Sequence, residues 1–241
     1  MSDLVTSAAA RDVGVVIVAG GSGSRVAQDS ESGELKQFRW VAGKPALLHS
    51  LQTFMARPDV ISVVCVLPRE YAADPPPWIF QCDIDRLMIS TGGRTRTESV
   101  RNGLEDLPDE AAIVLVHDAA RPLVGDETID RVVQSVRTGS ATIAALPVVD
   151  TLKEVDADGT IVRTIDRERL WRAQTPQGFP RALIERAHRD AKTQHLSATD
   201  DAALCERLGL PVRVVRGSER AMKITEERDF ARAEAHFLLP E

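Results

Sequence analysis

An apolar run that passes directly into a glycine-rich turn carries the first residues of this chain that could do chemistry. Val15–Val18 is followed by Ala19-Gly20-Gly21-Ser22-Gly23-Ser24-Arg25. The glycines and serines leave many backbone N–H groups free to surround phosphate oxygens, and Arg25 can add charge-assisted hydrogen bonds. A loop at the carboxyl end of a parallel strand is also where open α/β sheets bind nucleotides. The stretch predicts a phosphate site, with a purely structural turn as the alternative from the loop alone.

The spacing within this loop differs from two familiar phosphate-binding patterns. A dinucleotide fingerprint that starts at Gly21 needs a third glycine at position 26, where the chain has Val26. A P-loop needs Gly-Lys-Ser/Thr, whereas Arg25 follows the glycines here. The loop is therefore not expected to hold a dinucleotide.

A lysine and a second glycine-rich loop could complete such a site. Lys36 lies in Leu35-Lys36-Gln37, and the loop Thr91–Val100 contains Gly93, Arg96 and Ser99. The backbone of this loop, together with Ser99, is suited to reading the edge of a nucleobase. The alternatives are a surface lysine and a helix N-cap with solvent-exposed arginines.

The run His117-Asp118-Ala119-Ala120-Arg121-Pro122 follows a predicted central strand. A carboxylate at the carboxyl end of such a strand lies in the ligand crevice, and Mg²⁺ prefers carboxylate and phosphate oxygens. Asp118 is therefore predicted to hold Mg²⁺. A buried ion pair between Asp118 and Arg121 is the alternative, and His117 is assigned no catalytic role.

Strands and helices that alternate along the chain must position these side chains. Apolar runs predict strands at Val13–Ala19, Val60–Leu67, Arg86–Ser90, Ala112–Val116, Ala141–Leu146, Pro211–Arg216 and, briefly, Ala221–Thr225. Helices are predicted at Ala46–Ala56, Thr95–Leu104, Glu127–Val136 with Asp126 as its cap, Pro180–Lys192, Thr199–Leu208 capped by Thr199, and Glu226–Phe237. The alternation predicts an α/β fold, a Rossmann-like, doubly wound and mostly parallel sheet, in one domain over residues 1–241.

Residues 147–171 break the alternation. Apolar residues flank the turn Asp156-Ala157-Asp158-Gly159, which predicts a β-hairpin that leaves the sheet as an arm. Arms of this kind often serve dimerisation, so we expect this one to join two copies of the chain.

Composition limits the partners. The net charge is −6 and the pI is about 5.5, which argues against nucleic acid or an anionic membrane as the main partner. The three cysteines show no metal-binding spacing and are expected to be buried thiols in a reducing compartment. With no apolar run near the roughly 18 residues of a membrane span, we expect a cytoplasmic protein.

Together these stretches resemble the 2-C-methyl-D-erythritol 4-phosphate cytidylyltransferases, enzymes of the non-mevalonate isoprenoid pathway. The resemblance runs from about Val13 to Phe237 in the family's order. Its most specific runs are Val116-His117-Asp118-Ala119-Ala120-Arg121-Pro122 and Thr175-Pro176-Gln177-Gly178-Phe179. Further matching runs are Pro147–Lys153, Arg167–Trp171, Ala198-Thr199-Asp200-Asp201 and Met222-Lys223-Ile224-Thr225.

The resemblance implies a nucleotidyltransferase that moves a cytidylyl group from CTP to 2-C-methyl-D-erythritol 4-phosphate, with Mg²⁺ and as a homodimer. It implies catalytic roles for Arg25, Lys36 and Lys223 and a metal-binding role for Asp118. The implied nucleotide contacts are Ala19, Gly20, Gly21, Ser22, Gly23, Gly93, Arg96, Ser99 and Ala119. The implied acceptor contacts are Arg121, Thr151, Arg167, Thr175 and Thr199, with Arg167 reaching in from the partner's arm.

The acceptor brings its own anionic nucleophile, so the reaction needs no serine, cysteine or general base from the protein. The protein must instead position two polyanions and neutralise the charge that grows in the transition state. The nearest alternative is a cytidylyltransferase for another sugar-alcohol phosphate, such as ribitol 5-phosphate. A nucleotide-binding protein without catalytic activity is the alternative from a different class.

Overall fold

The computed structural model describes residues 10–20 and 35–238 of the chain. Its strands are β1 (Val13–Val18), β2 (Trp40–Val41), β3 (Lys44–Pro45), β4 (Val60–Leu67), β5 (Leu87–Thr91), β6 (Ile113–Asp118), β7 (Ala141–Pro147), β8 (Leu152–Val155), β9 (Ile161–Ile165), β10 (Trp171–Pro180) and β11 (Val212–Arg216). Its α-helices are α1 (Ala46–Met55), α2 (Arg69–Ala73), α3 (Arg96–Glu105), α4 (Asp126–Arg137), α5 (Arg181–Thr193), α6 (Asp201–Arg207) and α7 (Arg228–Leu238). Short 3₁₀ helices span Pro77–Gln81 and Glu219–Ala221.

A seven-stranded sheet with the order β11-β7-β10-β6-β1-β4-β5 forms the centre of the described residues. Its strands pair in parallel except β10, which runs antiparallel to both β6 and β7. The predicted α/β class and the mostly parallel sheet are confirmed.

Alternate residues of β1 enter two apolar layers, one on each face of the sheet. Val15 and Ile17 pack with helices α1 and α4 on one face, whereas Val16 packs with α3, α5 and α6 on the other. Because both faces are covered, β1 is a continuous apolar run and not an alternating one. This doubly wound core holds the strand ends of one edge in fixed positions.

The carboxyl ends of β1, β4, β5 and β6 lie at one edge of the sheet because these four strands are parallel. The chain leaves β1 through Ala19, whose N–H donates to Val66 O at 2.9 Å. It leaves β6 at Asp118, and the next N–H, of Ala119, donates to Val18 O at 3.1 Å. Ala19, where the predicted glycine loop begins, and the predicted carboxylate of Asp118 are thereby neighbours.

Strand β10 is a central strand that the sequence pattern does not predict. Its sequence contains Gln174, Pro176, Gln177 and Gly178, which are poor strand signals, and its pairing with β7 shifts register between Ala173 and Gln177. The strand gains its stability from burial between β6 and β7. Local propensity is weak here and tertiary packing decides the structure.

Three local predictions were wrong. Residues 222–225 form no strand, and the N–H of Ile224 donates instead to Ala120 O. The cap of α6 is Asp200, whose carboxylate accepts from the N–H of Ala203, and not Thr199. The cap of α4 is Gly125, with Asp126 as the first helical residue.

Strands β8 and β9 form a separate two-stranded hairpin, which confirms the hairpin predicted in this region. Asp156 closes its turn, because one carboxylate oxygen accepts from the N–H groups of Asp158 and Thr160. Val155, Ile161 and Val162 are exposed along it. In the part of the chain that the structure describes, no helix is both long enough and apolar enough to span a membrane.

Candidate active site

A cavity of about 430 Å³ opens at the carboxyl edge of the sheet. It is lined by predicted residues from five separate stretches, namely Ala19, Gly20, Lys36, Gly93, Arg96, Ser99, Asp118, Ala119 and Lys223. The predicted residues Gly21, Ser22, Gly23 and Arg25 lie outside the described residues. The parallel strand ends thus bring the predicted nucleotide residues to one place.

The two glycine-rich loops touch each other at Gly20 and Gly92. A Cβ atom on Gly20 would lie 3.3 Å from the Cα of Gly92 and 3.2 Å from the Oγ of Ser99. Gly92 is fixed in turn by a 2.7 Å hydrogen bond from its N–H to Leu67 O. This close backbone approach forms one continuous wall from the β1 loop and the β5 loop.

Ser99 holds the second loop in shape from within. Its Oγ accepts from the N–H of Gly93 at 3.0 Å and donates to the carbonyl oxygen of Thr95 at 2.9 Å. The single hydroxyl hydrogen is therefore used on the protein's own backbone. A contact of Ser99 with a base stays a prediction.

Gly93 has no room for a side chain. A Cβ atom there would lie 2.1 Å from the Cγ of Glu98, far inside van der Waals contact. The Glu98 carboxylate accepts from the N–H of Arg94 at 2.9 Å, so it holds the loop from below. The glycine at this position is required by packing inside the loop.

Asp118 lies at the centre of a cluster of cations. Its Oδ2 is 2.8 Å from Lys223 Nζ, its Oδ1 is 3.4 Å from Arg96 Nε, and Arg121 Nε is 3.9 Å from Oδ2. Burial alone would raise the pKa of Asp118, but Arg96 and Lys223 hold that pKa well below its usual range. The alternative predicted from the sequence was an ion pair between Asp118 and Arg121. That contact is present, but it is the longest of the three that Asp118 makes.

Arg96 bridges two carboxylates. Its Nη1 donates to Asp201 Oδ2 at 2.7 Å while its Nε contacts Asp118. Burial alone would lower the pKa of Arg96, but Asp201 and Asp118 raise it. We call Arg96, Asp118 and Lys223 the charge cluster.

Lys36 reaches the segment that carries Lys223. Its Nζ donates to Ile224 O at 3.2 Å. Its neighbour Gln37 donates through Nε2 to Ala19 O at 2.6 Å, which fixes the exit of β1. Both predicted catalytic lysines are thereby brought to the same cavity wall.

A second, smaller cavity of about 190 Å³ adjoins the first. It is lined by the predicted acceptor residues Arg121, Thr175 and Thr199, and the charge cluster lines it too. The charge cluster is therefore the wall that the two cavities share. Ligands in the two cavities would meet at this wall.

Two buried donors at the second cavity have no hydrogen-bond acceptor among the described residues, namely Arg96 Nη2 and Arg121 Nε. The other two nitrogens of the Arg121 guanidinium each donate one hydrogen bond, Nη1 to Ala221 O at 2.8 Å and Nη2 to Ala173 O at 3.4 Å. An unsatisfied buried donor costs about 1–3 kcal/mol. Two cationic donors in this state favour an anionic ligand at the second cavity.

Two predicted acceptor residues are not brought to the site of their own chain. Of the residues described, Thr151 and Arg167 line neither cavity and are exposed at the base of the arm. Arg167 donates through Nη1 to Val149 O.

The sequence interpretation missed residues that shape the second cavity. Gln177 donates to Asp200 Oδ2 at 2.9 Å and accepts from the N–H of Asp201 at 3.0 Å, so it connects β10 to helix α6. Gln174 lines the same cavity and is bonded to both backbone groups of Ser218. Gln177 lies in the run Thr175–Phe179, which resembles the family, and Gln174 directly precedes that run. This position in the sequence was the signal that could have identified them.

The comparisons with known proteins agree on one family. The family model described as "IspD: 2-C-methyl-D-erythritol 4-phosphate cytidylyltransferase" matches residues 13–238. The chain is 40% identical over 223 residues to the 2-C-methyl-D-erythritol 4-phosphate cytidylyltransferase of Syntrophus aciditrophicus, covering 91% of this chain and 93% of the relative. It is 38% identical over 220 residues to the bifunctional enzyme IspD/IspF of Desulfotalea psychrophila, covering 91% of this chain and 55% of that relative.

Solved structures give the same result. The 2-C-methyl-D-erythritol 4-phosphate cytidylyltransferase of Thermus thermophilus superposes with a TM-score of 0.78 at 35% identity, covering 95% of this chain and all of the other. The 4-diphosphocytidyl-2C-methyl-D-erythritol synthase of Anaerococcus prevotii superposes with a TM-score of 0.80 at 27% identity, covering 94% of this chain and 98% of the other.

Proposed function

Because the chain belongs to the 2-C-methyl-D-erythritol 4-phosphate cytidylyltransferase family, we propose that its two cavities bind the two substrates of that reaction. The chain is a nucleotidyltransferase that transfers the cytidylyl group of CTP to 2-C-methyl-D-erythritol 4-phosphate and releases pyrophosphate. CTP occupies the larger cavity and the acceptor occupies the smaller one. The observation that carries this assignment is the charge cluster, which lines both cavities.

The transfer is a displacement at the α-phosphorus of CTP. An oxygen of the acceptor's phosphate forms the new P–O bond, and the bond to the β-phosphate oxygen breaks with its electrons leaving on pyrophosphate. Negative charge spreads over the phosphoryl oxygens in the transition state, so positioned cations lower the barrier. Lys36, Lys223 and Arg25 supply that charge, and the flexible lysines suit a charge that moves during the reaction.

The acceptor's phosphate satisfies the two unpaired donors of the smaller cavity, Arg96 Nη2 and Arg121 Nε. Guanidinium groups are well suited to a fixed phosphate because their donors match its oxygens. Thr199 lines the same cavity. This arrangement would hold the nucleophilic oxygen beside the charge cluster.

Mg²⁺ fits Asp118. The described residues contain no group of three His, Cys, Asp or Glu side chains that could enclose a metal. A protein usually holds Mg²⁺ through one or two carboxylates, with substrate phosphates and water as the other ligands, and Asp118 offers one ionised carboxylate at the cavity. The ion supplies charge neutralisation at the triphosphate when it is bound.

A homodimer formed through the arm, residues 147–171, completes the acceptor site. Arg167 and Thr151 lie at the base of that arm and line neither cavity of their own chain among the described residues, and Val155, Ile161 and Val162 offer exposed apolar surface for pairing. We assign the cytoplasm as the location, because the thiols of Cys65, Cys82 and Cys205 are unpaired and such thiols persist in reducing compartments.

A pyrophosphate-release assay tests the assignment. With CTP and Mg²⁺, we expect release with 2-C-methyl-D-erythritol 4-phosphate and far less with ribitol 5-phosphate. Arg121→Ala should raise the KM for the acceptor by about tenfold, as expected for one charged hydrogen bond, and leave the KM for CTP nearly unchanged. Faster turnover with ribitol 5-phosphate, or binding of CTP without release under any of these conditions, would contradict the proposal.

A further inference from the structure

His117 is completely buried next to Asp118, and the reaction as described above gives it no role. Its Nε2 lies 3.1 Å from the carbonyl oxygen of Arg121, and its Nδ1 lies 3.0 Å from the Oγ1 of Thr175. The ring of Phe54 packs edge-on against the imidazole, with 5.0 Å between the ring centres. Each ring nitrogen therefore has one polar partner, and the orientation of the ring is fixed by packing.

The identities of the partners determine where the hydrogens lie. A carbonyl oxygen only accepts, so the Nε2 of His117 carries the hydrogen that Arg121 O receives. The ring is completely buried against Phe54, and its two polar partners are an uncharged carbonyl and an uncharged hydroxyl, so the site favours the neutral imidazole. Nδ1 is then bare and accepts the hydroxyl hydrogen of Thr175.

The same threonine oxygen receives a hydrogen bond from the active site. The backbone N–H of Asp118 donates to Thr175 Oγ1 at 3.1 Å. His117, through Thr175, therefore holds the backbone of Asp118, and through its other nitrogen it holds the turn that carries Arg121. His117 therefore connects Asp118, which lines both cavities, with Arg121, which lines the smaller one.

This arrangement leaves Thr175 without a hydrogen for a ligand. Thr175 lines the smaller cavity, but a phosphate group accepts hydrogen bonds and needs donors, and the one hydroxyl hydrogen points at His117. We propose that His117 and Thr175 act as a positioning pair, which fixes Asp118 and Arg121, and that Thr175 does not donate to the acceptor. The proposal rests on the proposed function for its effect on the reaction, but not for its hydrogen-bond pattern.

The hydrogen-bond pattern is testable without any substrate. Protein labelled with ¹⁵N in its histidine rings gives nitrogen–proton correlation spectra that distinguish the two neutral tautomers, and loss of one set of signals in His117→Gln identifies His117. We expect the tautomer with the hydrogen on Nε2, and we expect Thr175→Val to shift the Nδ1 resonance. A hydrogen on Nδ1, or an Nδ1 resonance that Thr175→Val does not move, would overturn the proposal.

Steady-state kinetics separates positioning from direct contact. Thr175→Val should lower kcat by about tenfold, the effect of one lost hydrogen bond at a buried group, and change the acceptor KM by less than about threefold. Thr175→Ser, which keeps the hydroxyl, should recover most of the lost kcat. The matched control is Thr142→Val on β7, where a hydroxyl that is equally buried bonds to Ser135; it should lower Tm without lowering kcat.

A double-mutant cycle decides whether the two residues act as one unit. The glutamine of His117→Gln can still donate to Arg121 O but no longer receives Thr175, so the double variant should be little worse in kcat than Thr175→Val alone. Multiplied effects, or a Thr175→Val variant with an unchanged kcat and a raised acceptor KM, would refute the pair. A wild-type protein without cytidylyl transfer would refute the proposed function, and the spectra would still decide the hydrogen-bond pattern.

Discussion

The two cavities differ in which parts of the central sheet and its loops build them. The larger one lies at the ends of β1, β5 and β6, and parallel pairing, with β4 between β1 and β5, places those ends at the same edge of the sheet. The smaller one takes Arg121 from a turn, Thr175 from the antiparallel strand β10 and Thr199 from a loop. Every predicted nucleotide residue that the structure describes lines the larger cavity, whereas the predicted acceptor residues Thr151 and Arg167 do not line the smaller one. We therefore propose that one chain forms the nucleotide side and that the acceptor side also needs the arm of a second chain.

Removal of a cation from the shared wall should have the largest effect. Lys223→Ala takes away the amine 2.8 Å from Asp118 and should lower kcat by about 100-fold or more, comparable to the loss of one preorganised donor. Lys36→Ala should behave alike, because the Nζ of Lys36 lies at the same cavity and donates to a carbonyl oxygen of the Lys223 segment. Pyrophosphate release at saturating CTP and acceptor measures both variants.

Lys44→Ala is the matched control for these two variants. Lys44 is exposed and bonds to Gln52, so its removal should leave kcat unchanged. Turnover like that of the wild type in both Lys36→Ala and Lys223→Ala would remove the basis for regarding the shared wall as the catalytic centre.

Arg167→Ala tests the acceptor side, with an expected loss of about 30-fold in kcat/KM for the acceptor, within the range for a charged hydrogen bond. The KM for CTP should change little, because Arg167 is not among the described residues that line the larger cavity. An equal loss for both substrates would contradict the division into a nucleotide side formed by one chain and an acceptor side that includes the arm.

Mixing two impaired variants tests whether Arg167 acts in the site of its own chain or in that of a partner. A hybrid dimer of Arg167→Ala and Lys223→Ala has one intact site if the arm crosses over, so about a quarter of all sites should recover activity after random exchange. If Arg167 serves its own chain, no hybrid site is intact and the mixture stays as weak as its components.

The nucleotide side was also the more predictable of the two from sequence. Val15–Val18, the glycine loops and Asp118 follow the usual logic of a parallel strand that ends in a polar loop, and the structure brings Gly20, Gly93 and Asp118 together. Strand β10 was not predicted because Gln174, Pro176 and Gly178 oppose strand formation locally, and only pairing with β6 and β7 makes the strand. The hydrogen bonds of Ser99 and Thr175 to the protein itself were not predictable, since they depend on contacts that sequence spacing does not specify.

Gly93→Ala should have a smaller effect, confined to the nucleotide side. A methyl group there meets Glu98, which must move and release the N–H of Arg94. We expect the KM for CTP to rise by about tenfold, equivalent to the loss of one or two hydrogen bonds, and the acceptor KM to stay constant. Titration of CTP at saturating acceptor measures the change.

Gly209→Ala is the control for this substitution. Gly209 has a positive φ of 68° but open space around it, so alanine strains the backbone and lowers stability without reaching either cavity. A normal KM for CTP in Gly93→Ala would mean that the loop does not contact the nucleotide.

The smallest effect is expected at Asp229, which braces the segment that follows Lys223. One oxygen of Asp229 accepts from the N–H groups of Thr225 and Glu226 and from the Thr225 hydroxyl, at 2.8–2.9 Å. Burial alone would raise the pKa of Asp229, but these hydrogen bonds lower it. Asp229→Asn should therefore lower the free energy of unfolding by about 1–2 kcal/mol at pH 7, measured by urea unfolding, and change kcat less than either lysine variant.

The lowered pKa of Asp229 determines how the stability difference between wild type and Asp229→Asn changes with pH. The folded pKa of Asp229 lies below the unfolded value of about 3.9, so the carboxylate contributes its full stability above pH 5 or so and loses it as the pH falls through the folded pKa. The gap between wild type and Asp229→Asn should accordingly be constant from pH 6 to 8 and shrink below about pH 4. A gap that widens in acid would mean that Asp229 is stabilised in its protonated form, and the Lys223 segment would then lack this brace at neutral pH.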